Sequence, residues 1–514
     1  MPGPSVIVVG AGVGGLSAAV DLARAGCAVT VLERADAPGG KMRRIPVGAG
    51  GAGGAGGGGS GDNAAPVDAG PTVFTMRWIF DALFRDAGAR IEEHLTLTPA
   101  DILARHAWRE GGRLDLFADV ERSIQAIAAF AGPAEAEGYR AFCRRSADVF
   151  ATLKQSFIAD QKPSPAGLVR RVGVGNLDAL WRTAPGKTLW GVLGEHFKDP
   201  RLRQLFGRYA TYCGSAPLWA PATLMLVAHV EQDGVWTVDG GMHQVARALQ
   251  GLGESFGARY RFGSHVAELL VEGGRVAGVR LADGERLSAD AVVFNGDASA
   301  LGAGLLGAAA RAAAKPTPRR ARSLSAVTWC VKAKTAGFPL LYHNVFFAED
   351  YPREFQAIFR DRAVTEAPTV YVCAQDRPTR EGVEAAAKVG QGERLLLLVN
   401  APADGDLGPW EAAHLADLRA RTWDLLAACG LEVETLPGAE VATTPHGFES
   451  LFPGTGGALY GAANHGAMAT FARPGAKTRI RGLYLAGGSV HPGPGVPMAA
   501  MSGRLAAAKL LGDR

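Results

Sequence analysis

A chain of 514 residues is too long for one small core and implies two or three domains. Hydrophobic residues make up 47% and charged residues 20%, which excludes a globally disordered chain. The net charge of +4, with no Lys/Arg run or aromatic-interleaved basic stripe, is compatible with an anionic membrane surface and argues against nucleic acid as a partner.

Residues 5–10 (SVIVVG) read as a buried strand, β-branched and closed by glycine. Residues 14–25 carry Leu16, Ala19, Val20 and Ala23 at helical spacing, with Gly26 as the stop, and residues 28–32 form a second strand. This is a βαβ unit with a right-handed crossover. A strand so near the start leaves no room for a signal peptide. Residues 48–66 form a flexible, glycine-rich loop between two strands. Residues 76–235 read as several helices, and residues 259–297 as short strands turning at Gly273-Gly274 and Asp283-Gly284. A mixed region follows, with β-rich stretches at 326–333 and 394–400. The last forty residues return to strand (482–486), Gly487-Gly488, and a helix from Pro497.

Cys27, Cys143, Cys213, Cys330, Cys373 and Cys429 show neither C-x-x-C nor paired Cys/His spacing. Neither a disulfide framework nor a zinc site is expected, and a reducing cytosol fits. No apolar stretch is long enough to span a bilayer, so any membrane contact is expected to be peripheral.

Gly10, Gly12 and Gly15 match G-x-G-x-x-G, with Gly14 as a further glycine. A strand precedes the motif, a helix follows it, and Glu33 ends the next strand. Gly10 permits the tight turn, Gly12 admits a pyrophosphate to the backbone, and Gly15 lets helix and strand pack closely. The helix N-terminus offers free N–H groups to phosphate, and Glu33 can accept from ribose hydroxyls. No Ser-His-Asp spacing, metal ligand set or activated cysteine competes with this reading, and no catalytic acid or base is identified.

The segment Glu33-Arg34 to Gly39-Gly40-Lys41 resembles the E-R-x-x-x-x-G-G-[KR] extension of the amine oxidase and phytoene desaturase superfamily. Asp68-Ala69-Gly70-Pro71-Thr72 resembles its D-x-G-P-T segment near the flavin. Residues 482–498 (GLYLAGGSVHPGPGVPM) resemble the carotenoid desaturase signature. With Phe452-Pro453-Gly454 to Tyr460-Gly461 and Arg473-Pro474, the chain is most similar to the hydroxyneurosporene (1-hydroxycarotenoid 3,4-) desaturase branch of that family. The resemblance implies an α/β fold: a Rossmann-type FAD-binding domain with a mixed β-sheet and helical substrate domain. It divides the chain into residues 1–75, 237–300 and 475–514 for FAD, and 76–236 with 301–474 for substrate and membrane.

It implies FAD held by Gly10, Gly12, Gly14, Gly15, Glu33, Arg34, Gly40, Lys41, Val266, Gly487, Gly488, Pro497 and Met498, and no metal. A helix starting near Pro497 would stabilise charge on the reduced flavin. The implied reaction is dehydrogenation of an apolar carotenoid, with quinone or oxygen as acceptor. The implied place is the cytoplasmic side of an inner or photosynthetic membrane. Phytoene or neurosporene desaturation, redox-neutral carotenoid isomerisation and amine oxidation remain open alternatives. His491 reads equally as an acid/base or as part of a shaped loop. Asp239-Gly240-Gly241-Met242 reads as a positioning turn or a plain one. Trp219, Trp236, Phe346, Phe347 and Tyr351 are channel candidates, most of them expected in the core.

Overall fold

Ser5–Val9 is the centre of a five-stranded, all-parallel sheet in the computed structural model, which describes residues 3–48, 65–380 and 392–513. Ala28–Leu32 and Arg259–Arg261 extend the sheet on one side, Ala291–Phe294 and Leu483–Leu485 on the other. Val8 stands opposite Val31 and Val293. Apolar, β-branched strands of this kind suit a sheet buried on both faces. One face packs on the helix Val13–Arg24, buried along its length from Val13 to Ala23 and stopped by Gly26 at φ +82°. Helices His243–Ser255 and Val496–Gly512 lie against it. A side chain at Gly503 would put its Cβ 2.0 Å from the Gly14 carbonyl oxygen, so the C-terminal helix touches the first helix backbone to backbone. The other face is covered by the antiparallel strands Val266–Glu272, Arg275–Leu281 and Arg286–Ser288, turning at Gly273-Gly274 as expected.

The second layer is a mixed seven-stranded sheet. Its order is Leu431–Thr443, Ser325–Gly337, Glu393–Ala401, Val370–Ala374, His343–Phe347, Ile102–Trp108 and Arg113–Phe117. Within it only His343–Phe347 and Ile102–Trp108 pair in parallel. This corrects the reading of residues 76–235 as helical. Helices such as Pro133–Leu153 are there, but Ile102–Phe117 is a strand pair, and Leu97–Pro99 and Val235–Val238 belong to a small third sheet. The strand pair is held by a partner more than two hundred residues away, which no local pattern reports. The glycine-rich run at 49–64 lies outside the described residues. Its flanks Arg44–Val47 and Ala65–Asp68 pair as an antiparallel hairpin.

Candidate functional site

A cavity of about 650 Å³ starts at the carboxyl ends of the parallel strands, where open α/β sheets bind ligands, and continues between the two layers. Its first part is a glycine cradle. The helix Val13–Arg24 has no side-chain cap, and its first intrahelical bond runs from Leu16 N–H to Gly12 O at 2.9 Å. The N–H groups of Val13, Gly14 and Gly15 are therefore left without an intrahelical acceptor at the cavity end. Gly39 N–H donates to Ala11 O at 2.9 Å, which lays the second glycine pair on the first. A Cβ at Gly40 would stand 3.2 Å from Gly12 Cα.

At the centre of the cradle is Asn295, which follows the strand Ala291–Phe294. Its Nδ2 donates to Gly10 O at 3.2 Å. Added Cβ atoms at Gly12, Gly14 and Gly487 would lie 2.9, 2.6 and 3.0 Å from its amide. Both ends of the chain thus meet on one side chain that motif reading passes over. The available signal was a polar residue at the carboxyl end of a buried parallel strand.

Every sequence-predicted site residue except Gly15 lines this cavity. Gly15 packs behind the wall as its place in the motif implies, since its Cβ would fall 2.1 Å from Gly10 O. Glu33 accepts Ala11 N–H at 2.7 Å and Ala35 N–H at 2.9 Å. Val266 opens its strand on the wall beside Glu33 and Ser264. Arg34 is turned to the carbonyls of Ser450 and Leu451. Lys41 Nζ donates to Leu459 O at 2.5 Å, and burial lowers its pKa while Asp297 opposes that shift. Burial likewise raises Asp297.

A second helix N-terminus opens on the same cavity at Val496–Ala499. Its N-cap, Gly495, has no side-chain bond, and Pro497 sits in the first turn. Arg473, 3% exposed, donates to the carbonyls of Tyr460 (3.1 Å), Gly488 (3.2 Å) and Ala462 (2.7 Å). That ties the residues around Tyr460 to the C-terminal glycines. The cradle, with two uncapped helix ends and closely packed glycines between them, fits a dinucleotide bearing a ring system.

Other candidates resolve differently. His491 is not on the cavity wall. Its Nε2 lies 2.9 Å from Asp160 O, its ring packs on Phe157, and burial pulls its pKa down to about 4. The loop reading fits it. The turn at Gly240-Gly241 works through Asp68, whose carboxylate accepts Met242 N–H at 2.7 Å. Tyr351 lies on the wall, Trp219 and Trp236 do not, and Phe346 and Phe347 are core.

Beyond the cradle the walls are mainly apolar, with Leu153, Ile158, Leu224, Val227, Leu396 and Leu398 facing inward. A polar group interrupts them. Tyr212 Oη donates to Glu231 at 2.7 Å and stands 3.3 Å from Arg208 Nη1, and Tyr209 Oη donates to Glu231 at 2.9 Å. No motif marks these residues in the sequence.

Residues 13–511 match the family described as flavin containing amine oxidoreductase. The chain is 52% identical to the hydroxyneurosporene desaturase of Rubrivivax gelatinosus, over 98% of this chain and 93% of the relative. It is 28% identical to the 1-hydroxycarotenoid 3,4-desaturase of Flavobacterium sp. (strain P99-3), over 98% of each. Among solved structures, cyclohexylamine oxidase from Brevibacterium oxydans IH-35A shares the fold, with TM-score 0.54, 16% identity, and coverage of 100% of this chain and 99% of that one.

Proposed function

We propose, for a chain that belongs to the flavin-containing amine oxidoreductase family, that it desaturates a 1-hydroxycarotenoid at the 3,4 bond. FAD is its cofactor, and the supporting observation is the continuous cavity, polar and glycine-lined at one end and apolar beyond it. We assign the N–H groups of Val13–Gly15 and the Gly39-Gly40 turn to the pyrophosphate, Glu33 to the ribose and Val266 to the adenine side. Gly487, Gly488 and the first turn at Pro497-Met498 are assigned to the flavin. FAD bound there supplies a two-electron acceptor for a hydride. The apolar walls hold the hydrocarbon by burial, worth roughly 25 cal/mol per Å², and keep water from the reacting carbons. The substrate would lose a hydride to that acceptor and, from the adjacent carbon, a proton to water or a side chain. A quinone or oxygen takes the electrons afterwards.

The strands of the parallel sheet come from 5–32, 259–261, 291–294 and 483–485, which supports residues 1–75, 237–300 and 475–514 as the FAD unit. Residues 76–236 and 301–474 are then the substrate unit. Among the described residues no helix is long and apolar enough to cross a membrane. We assign peripheral contact, on the cytoplasmic side of an inner or photosynthetic membrane, to the surface around Trp181. Trp181 is 78% exposed, with Arg182 next to it and Arg170-Arg171 about ten residues before it in the chain.

Anaerobic addition of 1-hydroxyneurosporene to the FAD-loaded protein tests the reading. Desaturation bleaches the flavin absorbance in proportion to substrate. Bleaching by an amine instead, or isomerised pigment without bleaching, would replace it.

A further inference from the structure

We infer that Arg208 is the specificity-determining residue that recognises the substrate's hydroxyl group, through guanidinium donors turned into the apolar cavity. This rests on the proposed desaturase reading and names the residue that separates hydroxylated from unhydroxylated hydrocarbon.

Four observations converge on Arg208. It lines the cavity and keeps part of its surface open, although its neighbours Tyr209 and Ala210 are buried. Among the described residues only Nη1 makes a hydrogen bond, to Tyr212 Oη at 3.3 Å, so Nε and Nη2 keep donors for a ligand. Of the other cationic heads on the wall, Lys41 is engaged with Leu459 O, Arg34 with Ser450 O, and Arg43 with Thr443 Oγ1 and the Phe448 ring. The Tyr212 and Tyr371 rings offset part of the cost of this charge, and the spare donors are left for a ligand oxygen to meet.

The charge balance identifies the kind of oxygen. Tyr212 bridges Arg208 to Glu231, whose two carboxylate oxygens accept from Tyr212 and Tyr209. The group is neutral as a whole and asks for no anion. An ammonium would meet the guanidinium first and be repelled. A neutral hydroxyl fits.

Position supplies a ruler. In a 1-hydroxycarotenoid the bond at C3–C4 lies two and three carbons from the carbon bearing the hydroxyl. The hydroxyl's partner must therefore sit beside the reaction centre and not at the far end of the cavity. Arg208 stands over the Tyr371 ring at 5.4 Å, and Tyr371 Oη is 2.7 Å from Thr72 Oγ1. Two residues before Thr72, Gly70 packs so closely on Lys41 that a Cβ would come 1.8 Å from its carbonyl oxygen. Arg208 is thus linked, by two contacts and a short stretch of chain, to the glycine cradle.

The test compares the FAD-loaded wild type with Arg208→Leu, Arg208→Lys and Tyr212→Phe, each on 1-hydroxyneurosporene and on neurosporene, with flavin content measured for all. Wild type is expected to prefer the hydroxylated substrate. Arg208→Leu should raise KM for it about 10- to 100-fold, leave KM for neurosporene unchanged or lower, and retain FAD. Arg208→Lys should restore part of the preference. If Arg208→Leu does not fold, the lysine and Tyr212→Phe variants report the same ratio. The inference is overturned by equal loss on both substrates, by an unchanged preference, by loss of FAD, or by a change confined to KM of the electron acceptor. A wild type that converts neither carotenoid instead removes the desaturase reading itself.

Discussion

Asn295 and Gly10 are joined by a hydrogen bond of 3.2 Å from the side-chain amide to the backbone carbonyl, and the dinucleotide cradle is arranged around that bond. The amide also sets how close Gly12, Gly14 and Gly487 may come. Packing of Gly12 on Asn295 can therefore be separated from the phosphate contact proposed for it.

A Cβ at Gly12 would meet Asn295 Nδ2 at 2.9 Å, with no other atom nearer than 4.0 Å. Gly12→Ala is expected to lower apoprotein stability by about 1–3 kcal/mol through overpacking and to abolish tight FAD binding. Adding Asn295→Ala should restore much of the stability and none of the FAD binding. Thermal melts and flavin content read the two effects independently. Recovery of FAD binding in the double variant would mean that Gly12 serves packing alone.

Burial holds several histidines neutral. His491 is pulled down to about 4 from 6.5, as is His465, and His106 and His343 fall to about 3. The unfolded chain then binds protons that the folded chain does not. Stability is complete above the unfolded value of 6.5 and is lost as pH falls towards the folded values. For His491 alone the loss by pH 5 is on the order of 2 kcal/mol. Urea midpoints should drop between pH 7 and 5, and His491→Gln should reduce the drop. The kcat profile of the wild type should show no ionisation of His491 between pH 6 and 8. An ionisation there that His491→Gln removes would make the residue an acid or base after all.

Trp181 offers an aromatic residue 78% exposed, with Arg182 next to it in the chain. Trp181→Ala with Arg170→Glu and Arg171→Glu should weaken binding to anionic vesicles about 30-fold or more, at roughly 1 kcal/mol per basic residue. FAD content should not change. Undiminished binding would move the membrane contact elsewhere.

The βαβ unit, its glycines and the C-terminal strand, glycines and helix were legible because each is a local pattern, a short apolar run closed by residues with special backbone freedom. The cofactor end of the site followed from them. What escaped depends on distant partners. Ile102–Trp108 is a strand because His343–Phe347 accepts it. Asn295 matters because five glycines from two ends of the chain close around it. Arg208, Tyr212 and Glu231 carry ordinary helical-looking spacing, and only the cavity shows that they share one polar spot. His491 stands inside a motif, yet its ring packs on Phe157.

Product identification decides whether the protein is a 3,4-desaturase. Purified protein with FAD is incubated with 1-hydroxyneurosporene in liposomes under quinone or air, and the pigment is separated and weighed by mass spectrometry. Desaturation predicts a red-shifted pigment lighter by two hydrogens, with the new double bond at C3–C4. Unchanged pigment, or an isomer of unchanged mass, would contradict it.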